Sequence, residues 1–324
     1  MGLTASVLPR DLLGPFRADS SRHAGLFLHV IIGSVATSAL LAAGVQAVLA
    51  SSGVTLCYLL AAFALRFKAQ QPAAVFCGTF AGMTSFFAFF HRAPFSLGFL
   101  IPIYLSVAIV TGFLYVLVMC FEHRLPKRLF SGHGGRLGAI AFVGSAACLL
   151  TTGLLIRLFS GDFQVVVLKD GARFSEKTLL VMILASALGS LATRVVAKDI
   201  NSTVPGLDIV LSASVCGFVG AMVFLFLPVL GPIASVYWYA GNFAGMSSNS
   251  ILDSHARILL AGAITGVFLA GLHCYGSGLG GLLGFSAFLA VLVVKCFLPY
   301  AHSEGIDAFH EIHAGDGKTL ALTR

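Results

Sequence analysis

Long apolar stretches separated by short polar breaks run through almost the whole chain. A helix needs about 20 apolar residues to cross a bilayer core. Read in that window, the sequence gives segments near 25–50, 53–67, 72–90, 95–120, 137–158, 178–197, 206–228, 232–251, 257–275 and 277–299. Polar breaks fall at Arg66-Phe67-Lys68, Glu122 to Arg136, Ser160 to Lys177 and Lys198 to Thr203. The pattern predicts an all-α polytopic membrane protein of about ten transmembrane helices.

One of these segments is repeated. Gly78-Thr79-Phe80-Ala81-Gly82-Met83-Thr84-Ser85 returns as Gly241-Asn242-Phe243-Ala244-Gly245-Met246-Ser247-Ser248, and each copy is followed by a histidine and a nearby arginine, His91-Arg92 and His255-Ala256-Arg257. The chain therefore reads as an internal duplication. Five segments per copy is an odd number, so the second copy starts on the opposite side of the membrane and is inverted. The expected organisation is a cytoplasmic N-terminal segment 1–24, a first repeat 25–158, an extracytoplasmic linker 159–177, a second repeat 178–299 and a cytoplasmic tail 300–324. Weaker correspondences point the same way, Cys57 with Cys216 and Arg157 with Lys295. A rival reading makes the two motif segments re-entrant and leaves eight spans.

Composition agrees with a membrane setting: 58% hydrophobic residues, 10% charged and a mean hydropathy of +0.95, against about a quarter charged in soluble domains. The first apolar run, Ala24 to Ala50, is longer than a signal h-region and reads as a span behind a basic leader. The net charge of +7 follows the positive-inside pattern, since ten spans put 15 of the 20 Lys and Arg on the cytoplasmic side. Eight spans put 14 there, so charge alone barely separates the two models. Both termini are then cytoplasmic, as expected of a bacterial inner-membrane protein. There is no basic stripe with interleaved aromatics, which argues against nucleic acid as a partner. The seven cysteines lie mostly in apolar segments without CxxC or Cys/His metal spacing, and read as packing residues. No metal or other cofactor is expected.

Within each motif copy the glycines are four apart, Gly78 with Gly82 and Gly241 with Gly245, a small-xxx-small face on a helix. The bland reading is that the two segments cross there, backbone against backbone. The functional reading adds Thr79, Thr84 and Ser85 in the first copy and Asn242, Ser247 and Ser248 in the second. Such groups satisfy backbone freed where a helix is interrupted. Phe80 and Phe243 then wall a substrate-binding site near the midplane. Tyr237, Trp238, Tyr239 and Asn249 make the second copy the more polar, so it is expected to supply most hydrogen bonds. His91 and His255 are gate candidates, or interfacial anchors.

No acidic residue falls in the middle of a span, and His29 is the one titratable group deep in an apolar segment. A buried carboxylate for ion coupling is missing, as are HExxH, GxSxG and a nucleotide-binding loop. No catalytic residue is identified, and an intramembrane enzyme is the least favoured class. The favoured one is a channel, facilitator or secondary transporter for a small neutral or anionic solute or ion, seated in the lipid bilayer and compatible with a homo-oligomer. The alternative is a scaffold or sensor subunit that binds a partner through its glycine faces. In size, span number and inverted halves the chain resembles urea channels and bile-acid-type anion transporters. That resemblance covers architecture only, and fold does not set function.

Overall fold

The computed structural model describes residues 20–65, 70–85, 97–124, 130–160, 174–203, 208–227, 230–276 and 278–298. His91, Arg92, most of the linker and nearly all of both terminal segments lie outside these residues. The described residues form ten helices: α1 (Ser20–Ala42), α2 (Ala47–Leu65), α3 (Gln70–Gly82), α4 (Leu97–Arg124), α5 (Arg136–Ser160), α6 (Glu176–Thr203), α7 (Asp208–Phe224), α8 (Gly231–Gly245), α9 (His255–Gly276) and α10 (Leu282–Phe297). Glu122, expected in a loop, belongs to the last turn of α4.

Six of the ten, α1, α2, α4, α5, α6 and α9, are long and apolar enough to cross a membrane. Large apolar side chains such as Leu60, Phe63, Phe113, Leu150, Leu188 and Val219 face outward from them and from α7, more exposed apolar surface than water tolerates on a soluble protein. Hydroxyls such as Ser34, Thr37, Ser51, Ser186, Ser190 and Thr193 are buried inside. This is an α-helical membrane protein.

The packing partners recur. α1 packs on α3 and α4 as α6 packs on α8 and α9, and α3 on α5 as α8 on α10. Individual contacts recur as well. A methyl group placed on Gly82 would come within 2.9 Å of Thr37 Cβ, and one on Gly245 within 3.0 Å of Thr193 Cβ. In each case the carbonyl of Ser34 or Ser190 also stands in the way. Ser52 donates to the carbonyl of Val48 as Ser214 does to that of Val210. This register makes Ser52 the counterpart of Ser214, three positions from the expected Cys57–Cys216 pairing.

The segments expected to run through 72–90 and 232–251 do not continue as helices. α3 stops at Gly82 after 13 residues and α8 at Gly245 after 15. At 1.5 Å per residue both are about 20 Å long, short of the roughly 30 Å of a bilayer core. The two tips end alike. Met83 N–H is shared between the carbonyls of Thr79 and Phe80, and Met246 N–H between those of Asn242 and Phe243, all at 3.2 Å.

Candidate functional site

What stops each helix comes from the other half of the chain. Beyond the α3 tip, Ser85 N–H donates to the carbonyl of Gly278 at 2.7 Å, and Gly280 N–H donates to Thr84 Oγ1 at 3.1 Å. Beyond the α8 tip, Ser248 N–H donates to the carbonyl of Gly132 at 2.8 Å, and Gly134 N–H donates to Ser247 Oγ at 3.0 Å. The loop leading into α10 thus caps α3, and the loop leading into α5 caps α8. Both loops have one sequence pattern, Gly132-His133-Gly134-Gly135-Arg136-Leu137-Gly138 and Gly278-Leu279-Gly280-Gly281-Leu282-Leu283-Gly284. Its first and third glycines have φ of 79° and 80° in one copy and 92° and 85° in the other, a region that side-chain-bearing residues rarely occupy. Sequence reading passed over this second repeat. The signal was in plain view as GxGGxLG.

Carbonyls at the α3 tip and in the segment after α8 are also met from α1 and α6. Ser38 Oγ donates to the carbonyl of Gly82 at 3.1 Å, and Arg194 Nη2 donates to that of Leu252 at 3.1 Å. Such capping lets an interrupted helix persist inside a membrane, where an unsatisfied backbone group has no water to turn to.

The motif glycines face away from the junction. Gly78 packs against the backbone of Val30 and Ser34 in α1, and Gly241 against that of Ser186 in α6. The expectation that the two motif helices cross backbone on backbone is therefore corrected: each buries its glycine face on the first helix of its own half. Thr79 and Asn242 are fully buried and engaged with protein. Ser51 Oγ donates to Thr79 Oγ1 at 3.0 Å, and Thr79 donates to the carbonyl of Phe76 at 2.8 Å. With its one proton used, Ser51 accepts from the Tyr239 hydroxyl at 3.1 Å. The Asn242 amide, in the orientation that satisfies it, donates to the carbonyls of Gly189 and Trp238 and accepts from Gly217 N–H, each at 3.0 Å. Trp238 donates to the carbonyl of Cys216 at 2.9 Å. His255 starts α9 and is exposed. His29 bonds the carbonyl of Gly25 and packs edge-on against Tyr58.

The aromatic side chains are what meet between the halves. Phe80 and Phe243 stand edge to face with ring centroids 4.8 Å apart, and Phe76 and Tyr239 extend the cluster on either side, 5.9 Å from Phe243 and 6.3 Å from Phe80. All four are buried. Beside them a cavity of about 200 Å³ opens between Phe76, Phe80, Phe243 and Met246 on one side and the Gly132–Gly135 loop with Arg136 on the other. Of the expected site residues, Phe80 and Phe243 line this cavity. Its polar lining comes from the loop of the first half, where sequence reading had looked to the second.

No family model, curated protein or solved structure matches this chain.

The charged side chain in the cavity lining is that of Arg136. Arg136 is ion-paired with Glu122, which is buried. His133 is 7% exposed, and its Nε2 lies 3.3 Å from Lys295 Nζ at the end of α10. Burial and then the Lys295 charge hold the His133 pKa below its ordinary 6.5, against the opposing pull of the Ser131 and Phe130 carbonyls. His133 is therefore neutral near pH 7, and Lys295 is the charge left over. Among the described residues no cluster of His, Cys, Asp or Glu could hold a metal ion.

Proposed function

We propose that this protein transports a small neutral or anionic solute across a membrane, through the junction where the α3 and α8 tips meet. The observation that carries the proposal is the reciprocal capping of two interrupted helices around a cavity. Interrupted helices facing each other at a repeat interface are how several transporter folds expose backbone dipoles to a solute. A protein built only to span or to scaffold has no need of them.

In this reading the halves are inverted five-helix repeats. The interrupted segments of α3 and α8 each count as one crossing, giving ten spans. Both termini then lie with the basic loop Glu122 to Arg136 on the cytoplasmic side of a bacterial inner membrane. The buried carboxylate of Glu122 is tied up in its ion pair with Arg136, which favours a channel, a facilitator, or a symporter whose ion is held by backbone oxygens. Purified chain reconstituted alone in proteoliposomes is the test. Saturable solute flux, lost when the cavity is filled by Phe243→Trp, is the expected result. If vesicles containing the intact, folded chain are no more permeable than empty ones across neutral and anionic solutes, the proposal fails.

A further inference from the structure

We propose that the cavity beside Phe80 and Phe243 is a binding site for a small organic monocarboxylate, its carboxylate held at His133 and the start of α5 and its hydrocarbon part against the aromatic cluster. The inference rests on the transport reading and names the substrate class of that same site.

The argument starts from a tautomer. Lys295 carries an ammonium group, which can only donate, so His133 Nε2 must accept from it and the ring proton sits on Nδ1. That Nδ1–H is buried, and although the carbonyls of Phe130 and Ser131 lie close enough to act on the ring, neither meets it in hydrogen-bond geometry. His133 itself lines the cavity. A buried donor without an acceptor is costly in a finished structure and is a common mark of a site awaiting its ligand. The missing partner is an acceptor.

Two further features select an anion. The loop runs directly into the first turn of α5, a helix of 25 residues, whose leading amides carry a partial positive charge. Arg136 in the lining is cancelled by Glu122, and Lys295, which bonds His133 from outside the lining, is the uncancelled charge next to the site. No other charged residue lines the cavity.

The walls then exclude the simplest anions. Ala73, Phe76, Phe80, Val210, Phe243 and Met246 are apolar, and a phosphate or sulfate lodged among them would lose hydration on most of its surface without compensation. An anion with one polar end and one apolar end fits both sides. Size points to a small solute: about 200 Å³ is below the roughly 300–1,000 Å³ of pockets that hold drug-sized ligands. That suits a chain of four to six carbons and is too small for a sterol-sized solute.

Equilibrium binding of radiolabelled butyrate to the purified full-length chain in detergent tests the assignment, with butyramide, butylamine and inorganic phosphate as competitors. Butyrate should bind, with hexanoate competing at least as well and the three analogues at least about tenfold weaker, as expected when a charge-assisted hydrogen bond is lost. His133→Phe should weaken butyrate by about tenfold or more, and His133→Gln, which keeps a donor, by less. Phe243→Trp, which fills the cavity from the other side, should abolish binding and serves if the His133 variants do not fold. Absence of butyrate binding, equal binding of butyramide, or an unchanged affinity in folded His133→Phe would each overturn the carboxylate site. Flux of a neutral solute without carboxylate binding overturns this inference and leaves transport standing. Butyrate binding without flux of any solute does the reverse.

Discussion

Gly138 and Gly284 lie back to back. A methyl group built on Gly138 would sit 2.5 Å from the Cα of Gly284, and one built on Gly284 would sit 2.6 Å from the Cα of Gly138. Here, rather than at the motif glycines, two backbones from opposite halves touch. The contact holds α5 against α10 three residues after each glycine loop, so it fixes both loops against the helix tips they cap. Gly138→Ala and Gly284→Ala should each lower stability by about 1–3 kcal/mol, the usual cost of overpacking, and reduce flux together with it. Gly25→Ala and Gly271→Ala, at positions with nothing within 4 Å, are the controls. Thermal unfolding in detergent measures the difference, and equal melting temperatures for Gly138→Ala and Gly25→Ala would remove this contact from the account.

Gly82→Leu and Gly245→Leu should abolish transport and destabilise the fold. The reason is contact with the first helix of each half, since Gly82 meets Ser34 and Thr37 and Gly245 meets Ser190 and Thr193. Small residues at such contacts let helices approach closely in lipid. A second-site change that makes room in α1, Thr37→Ala, should restore part of what Gly82→Leu loses and nothing of what Gly245→Leu loses. Rescue of both variants by Thr37→Ala would show that the glycines face each other after all.

Much of this organisation was legible in the sequence, and the parts that were not share a cause. Ten apolar segments and the GxFAGMxS repeat follow from patterning alone, and ten helices are found close to the expected positions. The interruption at Gly82 was not legible, because residues 72–90 are uniformly apolar and the helix is ended by a loop nearly two hundred residues away. Gly280 N–H satisfies Thr84, and that bond has no local signature. The second repeat was missed because its two copies sit in different company: Gly132-His133-Gly134-Gly135 adjoins a basic break, while Gly278-Leu279-Gly280-Gly281 lies between apolar segments. Connection lengths also differ between the two sets of helices, so no single sequence offset aligns the matching contacts, and Cys57 falls three positions from Cys216 in the Ser52–Ser214 register.

His133 makes stability depend on pH in a definite direction. Its pKa in the folded protein lies below the ordinary 6.5, first through burial and then through Lys295. The unfolded chain therefore takes up the proton first. The contribution is fully present above about pH 6.5 and is lost as pH falls from there through the lower native value. Protonation would also place a charged ring against Lys295 of α10 and beside Arg136 of α5, loosening the loop that caps α8. Melting temperatures recorded from about pH 8 down to about pH 5 should fall more steeply for the wild type than for His133→Gln. Lys295→Met, by removing the neighbouring charge, should raise the native pKa towards its ordinary value and make the fall shallower than in the wild type, though less so than His133→Gln. Parallel curves for wild type and His133→Gln would exclude the histidine as the source.

The hydroxyls and the amide of the motif separate a structural role from contact with solute. Ser247 Oγ is the acceptor for Gly134 N–H, and Thr84 Oγ1 for Gly280 N–H, so alanine at either position leaves a buried amide unpaired. The cost of such a group is about 1–3 kcal/mol. Asn242→Ala removes three hydrogen bonds, to Gly189 of α6, Gly217 of α7 and Trp238 of α8, and should destabilise more than Thr79→Ala, whose partner Ser51 can still bond the Tyr239 hydroxyl. None of the four side chains lines the cavity. Their replacement should therefore lower the melting temperature while leaving solute affinity in the surviving folded fraction within about twofold, a change worth under about 0.5 kcal/mol. Phe80→Leu and Phe243→Leu should do the opposite, because they keep the helix ends and their caps but remove ring faces from the cavity wall. Affinity and stability measured on the same preparations decide the matter: if Ser247→Ala costs affinity and Phe243→Leu does not, solute passes along the hydroxyls and the aromatic cavity is packing.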